Sequence, residues 1–223
     1  MALLEWRKRS PYKIDAVIVP ASAVDEDADD SDLPMYVASF VSNALGSARY
    51  IREELPREAL IAAHLNKYVG EVNNGGHSQF VGNTGWDEDI RADVREGLAT
   101  LGLDEAAGIF ADLEAFAEVE PERFAHHDGE AHEQDPFFNE LDDRFYRPRL
   151  NDAIQEASAA WIRTWPWLRA IPDEEYRRGT WKTPDHPLKQ ARMEAMRRKN
   201  KPALIAALLQ LRDLLHKDRK DES

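Results

Sequence analysis

A chain of 223 residues with 43% hydrophobic and 32% charged residues is long enough to bury a sizeable core and is globular in composition. Its net charge of −13 argues against nucleic acid as a direct ligand, because such binding rests on neutralising phosphates, and favours basic proteins as partners. The lack of cysteine excludes disulfides and thiolate chemistry and is compatible with a reducing cytoplasm.

No apolar run approaches the roughly 18 residues that a membrane-spanning helix needs. The start of the chain lacks the basic-then-apolar layout of a secretory signal, so a cytoplasmic location without membrane contact is expected. Tyr12-Lys-Ile-Asp-Ala-Val-Ile-Val19 is the clearest β-branched run and predicts a short strand or an extended arm ending at Pro20. Between Asp25 and Asp32 six carboxylates occupy eight positions, a block that repels itself and reads as a solvated loop. Ser31 or Asp32 is placed to cap the helical segment that begins at Leu33. The Gly and terminal Glu of a calcium loop are missing. Residues 1–32 are therefore expected to form an acidic, peripheral lead-in.

From Leu33 the apolar spacing becomes helical. Met35, Tyr36, Phe40, Val41 and Leu45 define one face that ends near Gly46. Pro56 opens a second helix, with Ile61, Leu65, Tyr68, Val69 and Val72 on its apolar face. After Asn73, which belongs to the same structural motif, Asn74, Gly75 and Gly76 then stop it, because Gly and Asn tolerate the left-handed conformation of a helix C-terminus. Ser78, Gln79, Asn83 and Thr84 crowd amides and hydroxyls into the next positions, around Phe80. They read as scaffold that caps helix ends; the competing reading is a polar site of Glu71, His77 and Gln79. Two more helices come next in the chain. In Asp87–Leu101 the residues Ile90, Val94, Leu98 and Leu101 face inward, and in Asp104–Val119 the inner stripe is Ile109, Leu113 and Phe116.

His126-His-Asp-Gly-Glu-Ala-His-Glu133 gathers metal-ligating residue types, but its spacing matches no familiar zinc pattern and it reads as a polar loop. Phe137 to Arg163 is helical with a break near Pro148; Phe138, Leu141, Phe145, Leu150, Ile154, Ala157 and Trp161 form its buried face. Trp161, Trp165, Trp167 and Trp181 cluster at the junction with the C-terminal part, where packing is favoured over an aromatic ligand platform. Pro187–Asn200 and a helix from Pro202 complete the chain, the latter with a stripe of Leu204, Ile205, Leu208, Leu211, Leu214 and Leu215 that must cover the main bundle or a second subunit.

Charge is uneven along the chain. Asp87–Asp143 holds 19 acidic and three basic residues, a balance of −16, whereas Arg144 to the end is +7. Carboxylates three or four apart on a helix lie about 5–6 Å from one another, comparable with the spacing of phosphates at one per about 3.4 Å of a DNA strand. Asp87, Asp93, Glu96, Asp104, Glu105, Asp112, Glu114 and Glu118 are spread over two helices in that manner, and are the candidate partner-binding residues.

The stretch Asn74-Gly75-Gly76-x-x-Gln79-Phe80-x-x-Asn83 resembles the signature of the DNA-mimic protein nineteen family. Leu141-Asp-Asp-Arg-Phe-Tyr146 is similar to that family's second, weaker motif, and Ala99–Gly102 to its helix that ends in a Gly turn. The resemblance covers roughly Leu33 to Thr164; His77 departs from it, standing where an aromatic Phe is usual. It implies a cytoplasmic, mainly helical, acidic protein that occupies a DNA-binding regulator by imitating DNA. The expected fold is mainly α, a compact multi-helix bundle with a peripheral N-terminal arm (1–32), a helical domain (33–165) and a C-terminal helical extension (166–223). The expected function is a non-enzymatic protein-binding module without cofactors, acting in transcription regulation on a helix-turn-helix regulator or another basic DNA-binding protein, with a homodimer as one arrangement. The alternative is a helical adaptor or immunity-like protein that binds through the Trp-rich junction; a metal-dependent enzyme using His126–Glu133 is the third reading.

Overall fold

The computed structural model describes residues 12–25, 27–127 and 135–198. Strand β1 (Val17–Pro20) leads through a short turn into α1 (Asp32–Ser42), which widens into a π-type turn over Asn43–Ser47, where the N–H of Ala48 reaches back to Asn43 O at 2.9 Å. After a 3-10 turn at Arg52–Glu54 come α2 (Arg57–Thr84), α3 (Glu88–Thr100), α4 (Asp104–Val119), the one-turn α5 (Pro121–Phe124), α6 (Pro136–Tyr146) and α7 (Leu150–Arg163). Strand β2 (Leu168–Ile171), α8 (Asp173–Arg177) and a further helix, α9, over residues 189–198 close the described chain. The molecule is mainly α, as its periodicity predicts.

Helix α2 is the axis. Ala59, Leu60, Ile61, Ala62 and Ala63 are all buried, so this part of the helix is surrounded on every side, which only small and aliphatic residues allow. One side of α2 faces an aromatic core, where Tyr68 and Phe80 meet Phe110 of α4 and Phe138 and Phe145 of α6. The Tyr68 ring lies edge-on to Phe80, Phe110 and Phe145 with centroids 5.1–5.7 Å away, the arrangement that aromatic quadrupoles prefer. The other side, through Leu60, Ala62 and Ala63, faces an aliphatic core of Val17, Val19, Leu33, Val37, Phe40 and Ile162. Gly97 lets α3 close on α2: a Cβ there would overlap Leu65 and Ile61.

The N-terminal segment departs from expectation. Val17 and Val19 are fully buried, and β1 pairs in parallel with β2 in the register Val17 to Leu168. The β-branched run is thus core rather than periphery. Its partner Leu168–Ile171 carries the pattern Leu-Arg-Ala-Ile with two exposed residues, too short and mixed to read as a strand in isolation. The acidic block is partly tied down as well, since Asp29 accepts from the backbone N–H of Ser31 at 2.8 Å and Asp30 meets Arg163 at 3.4 Å. The break near Pro148 is real: Arg149 adopts a left-handed conformation (φ 57°) between α6 and α7.

The tryptophans pack among themselves and into the aliphatic core. Trp165 is buried, edge-on to Trp161 at 5.1 Å and stacked on Trp167 at 4.4 Å, while Trp181 stacks instead on Tyr176. Among the described residues no helix is long and apolar enough to cross a membrane. The helix expected from Pro202, with its leucine stripe, lies outside the described residues.

Candidate functional site

The glycine bend does not end α2; it breaks it. Residues Arg57–Thr84 form one rod interrupted at Gly75 (φ −162°, ψ 29°) and Gly76 (φ 75°, ψ −178°), and the helix stops at Gly85 in the left-handed region. Of the two glycines at the break, only Gly76 needs positive φ. It is also pressed against Asp142 of α6, whose carboxylate a Cβ would strike. That carboxylate caps the restarted helix: Asp142 Oδ1 accepts the His77 backbone N–H at 2.8 Å and also contacts His77 Nδ1 at 2.6 Å. Facing that carboxylate, Nδ1 carries a hydrogen and donates it, while Nε2 on the other side of the ring lies 2.9 Å from Tyr68 OH. Burial pushes the Tyr68 hydroxyl above the usual tyrosine range, which keeps it a donor. The Tyr146 hydroxyl donates to Val72 O, in the last turn before the break.

On the outer side of the bend Glu71 spans the break. Its Oε1 accepts from Lys67 Nζ at 2.8 Å, and its Oε2 accepts from Gln79 Nε2 at 2.8 Å and Asn83 Nδ2 at 2.7 Å. Partial burial alone would raise the Glu71 carboxyl, but the Lys67, Asn83 and Gln79 hydrogen bonds outweigh it and hold the group at about 2. Asn74 Nδ2 donates to Gln79 Oε1 at 3.0 Å, while Asn73 is exposed. Gln79 and Asn83 thus face a carboxylate eight and twelve residues upstream, across the break, and Phe80 anchors the restarted helix in the aromatic core. The amides of the signature hold two helical pieces at a fixed angle.

The acidic helices sort their carboxylates by direction. Asp93 lies on the same stripe of α3 as Gly97, facing α2, and is completely buried. Arg52 Nη2 donates to both its oxygens at 2.8 and 3.0 Å, Arg57 donates to Oδ1, and His64 Nδ1 lies 2.6 Å from Oδ2. Burial would raise this carboxyl; His64, Arg52 and Arg57 together bring it below the ordinary aspartate value. Asp93 is therefore turned inward, away from any partner. Glu96 pairs with Arg57 and Asp112 with Arg144, each keeping about half its side chain exposed. Glu114 is mostly covered and takes Arg95 at 2.5 Å. Asp87 caps α3 through Ile90 N–H at 3.1 Å and remains exposed, and Asp104, Glu105 and Glu118 are exposed on α4.

Arg52, Arg57 and His64 carry this geometry and were not singled out by sequence pattern, whereas Asp142 lies in the second motif, Leu141–Tyr146, without its capping role being legible there. Ion pairs between helices, 29 to 41 residues apart, leave no local period. One signal existed: a mid-helix glycine at 97 marks a close helix contact, and Asp93 stands one turn before it on the same side. The His126–Glu133 run lies largely outside the described residues, with His126 exposed at its start, and among the described residues no group of three or more His, Asp or Glu converges as a metal site.

Residues 53–165, just over half of the chain, match the family described as DMP19-like protein. No curated protein and no solved structure matches the chain. The match runs from the turn before α2 to just past α7, enclosing the glycine bend, its Asp142 partner, and Asp93 with Arg57 and His64. The chain belongs to the DMP19-like family.

Proposed function

We propose that the protein is an acidic protein-binding module that imitates the phosphate rows of DNA and so occupies a basic DNA-binding protein, a helix-turn-helix regulator being the partner of matching shape. The observation that carries this reading is the sorting of carboxylates on α3 and α4. Those that face α2 are neutralised by arginine and histidine, whereas Asp87, Asp104, Glu105 and Glu118 project outward from helices held rigidly behind them. Glu96 and Asp112 extend the outward set at half exposure. A rigid scaffold with fixed external charges meets a partner's Lys and Arg without an ordering cost at the surface. Membership of a family named for DNA mimicry supports the same reading.

The test is capture of a partner from native lysate on the full-length protein, followed by competition with duplex DNA. Binding should fall as salt rises, because an extended charge match is screened within a Debye length of about 8–10 Å. Asp104→Asn, Glu105→Gln and Glu118→Gln together should weaken the complex while the fold stays intact. A partner that is retained at high salt, ignores DNA and binds the triple variant equally well would overturn the mimic reading.

A further inference from the structure

At the very start of the family-matched residues, in the turn before α2, lies a second buried carboxylate. Glu54 sits in the turn before α2 with about 1% of its surface exposed, and its Oε2 accepts the Ile51 backbone N–H at 3.0 Å. The C-terminal segment comes back to it. Arg192 of α9 donates from Nη1 to Oε2 and from Nη2 to Oε1, both at 2.8 Å, and Nη1 also reaches Arg49 O at 2.7 Å. His186 is buried beside the pair, its backbone N–H donating to Ala48 O at 2.8 Å and its ring edge-on to Tyr12 and Tyr50.

The His186 ring has a defined job. Its Nδ1 accepts the backbone N–H of Leu188 at 2.9 Å, and its backbone carbonyl accepts that of Lys189 at 2.8 Å, so His186 caps the start of α9. A backbone N–H can only donate; Nδ1 must therefore be unprotonated, and the ring proton sits on Nε2, 3.3 Å from Glu54 Oε1. Gaining a second proton would put it on Nδ1, opposite the Leu188 N–H. The cap would be lost, and a positive charge would appear at the positive end of α9.

We propose that Glu54, His186 and Arg192 form an acid-released latch fastening residues 181–198 to the helical domain. The groups facing His186 are Tyr12, Tyr50 and Glu54 from the body and Arg192 from its own segment. Glu54 alone would welcome an imidazolium, but both its oxygens already bind Arg192, and its contact with Nε2 is long. Burial, aided by the Arg192 charge, accordingly holds the imidazole below its ordinary value of 6.5. The native state thus favours the neutral ring. Attachment is complete above the unfolded value and weakens as pH falls from there toward the native one. What the latch governs is the position of a basic helix, Lys189, Arg192, Arg197 and Arg198 with a single Glu194, on an otherwise acidic protein.

Hydrogen exchange of the full-length protein between pH 7.5 and 5, corrected for intrinsic rates, reads the latch directly. Peptides within 181–198 should lose protection by about tenfold per pH unit below about 6.5, until the native imidazole titrates, while α2 stays protected. His186→Asn keeps an acceptor for the Leu188 N–H and cannot titrate, so it should abolish that acid response. Arg192→Met should release the segment already at pH 7.5. An acid response unchanged in His186→Asn, or wild-type protection in Arg192→Met at neutral pH, would overturn the proposal.

Discussion

Two buried carboxylates in this protein are served by the same kinds of residue and are built for opposite ends. Asp93 takes two arginines and a histidine; Glu54 takes one arginine and lies beside a histidine. At Asp93 the imidazole turns its N–H to the carboxylate, and every partner belongs to α2 or the turn before it, so the cluster ties α3 to the axis of the fold. At Glu54 the imidazole uses Nδ1 as an acceptor, and the partners come from a segment more than 130 residues away. In the first arrangement the ring nitrogen donates to a carboxylate; in the second it must stay unprotonated to accept a backbone N–H. Residue type alone is therefore a poor guide to what a buried ion pair does, and the direction of one ring nitrogen decides it.

Substitution should separate the two most visibly at Asp93. Asp93→Ala leaves Arg52, Arg57 and His64 against a void between two long helices, and should cost about 3–5 kcal/mol in urea unfolding of the whole domain. Arg192→Met removes a pair of similar geometry, yet the segment can lift away and let water reach Glu54. Its cost to the body should stay near the ±0.5 kcal/mol or so of a peripheral substitution, with the loss confined to local opening of residues 181–198. Equal losses in the two variants would refute the distinction between tie and latch.

The glycine bend supplies a sharper contrast between neighbours. Gly76→Ala forces a side chain into positive φ and against the Asp142 carboxylate, a strain of about 1–3 kcal/mol that also disturbs the cap on His77. Gly75 has extended φ, so a Cβ there carries no left-handed strain, and it would meet the Gln79 side chain alone rather than the Asp142 cap. Gly75→Ala should cost clearly less, about 1 kcal/mol at most. Thermal melts of the two variants check the order, and a larger loss at Gly75 would show that the bend is held by something other than Asp142.

Acid should separate the two carboxylates without mutation. The folded Asp93 carboxyl lies below its ordinary 3.8, so its contribution is present above that value and lost as pH falls through the folded one. The latch weakens much earlier, below about 6.5, because the His186 imidazole is held down rather than up. Helical circular dichroism should therefore keep its main transition below pH 4 or so, while protection of residues 181–198 has already gone. Simultaneous loss of both would mean that α9 is integral to the body.

Much of this architecture was legible in the sequence. The 3/4 spacing of Ile61, Leu65, Tyr68, Val69 and Val72 gives the face of α2, and the Asn-Gly-Gly run places the bend within a residue of its true position. What failed was the reading of Gly75-Gly76 as a stop, since a helix that restarts at once needs a cap from elsewhere, and Asp142 is 65 residues away. Burial of Val17 and Val19 was likewise hidden, because it depends on pairing with a strand 151 residues later. Along the acidic helices the sequence shows charge but not direction. Asp93 and Asp104 look alike in a string and differ completely in the fold.

That difference gives the smallest effect on stability and the most informative one for function. Asp104, Glu105 and Glu118 project from α4 into solvent, so carboxamides there should leave the melting temperature unchanged, exposed charges contributing little to folding. Glu114→Gln removes the same single charge from the same helix, but it weakens a group that Arg95 grips through both oxygens and Arg91 approaches at 3.6 Å. It should lower the melting temperature measurably. If partner binding depends on outward charge, the Asp104, Glu105 and Glu118 variants weaken it and flatten its salt dependence, with no thermal cost. Glu114→Gln should do the reverse, costing stability while sparing affinity at low temperature. A partner whose affinity tracks the melting temperature instead, falling with Glu114→Gln and indifferent to the outward three, would be reading the shape of the helical face and not its charge.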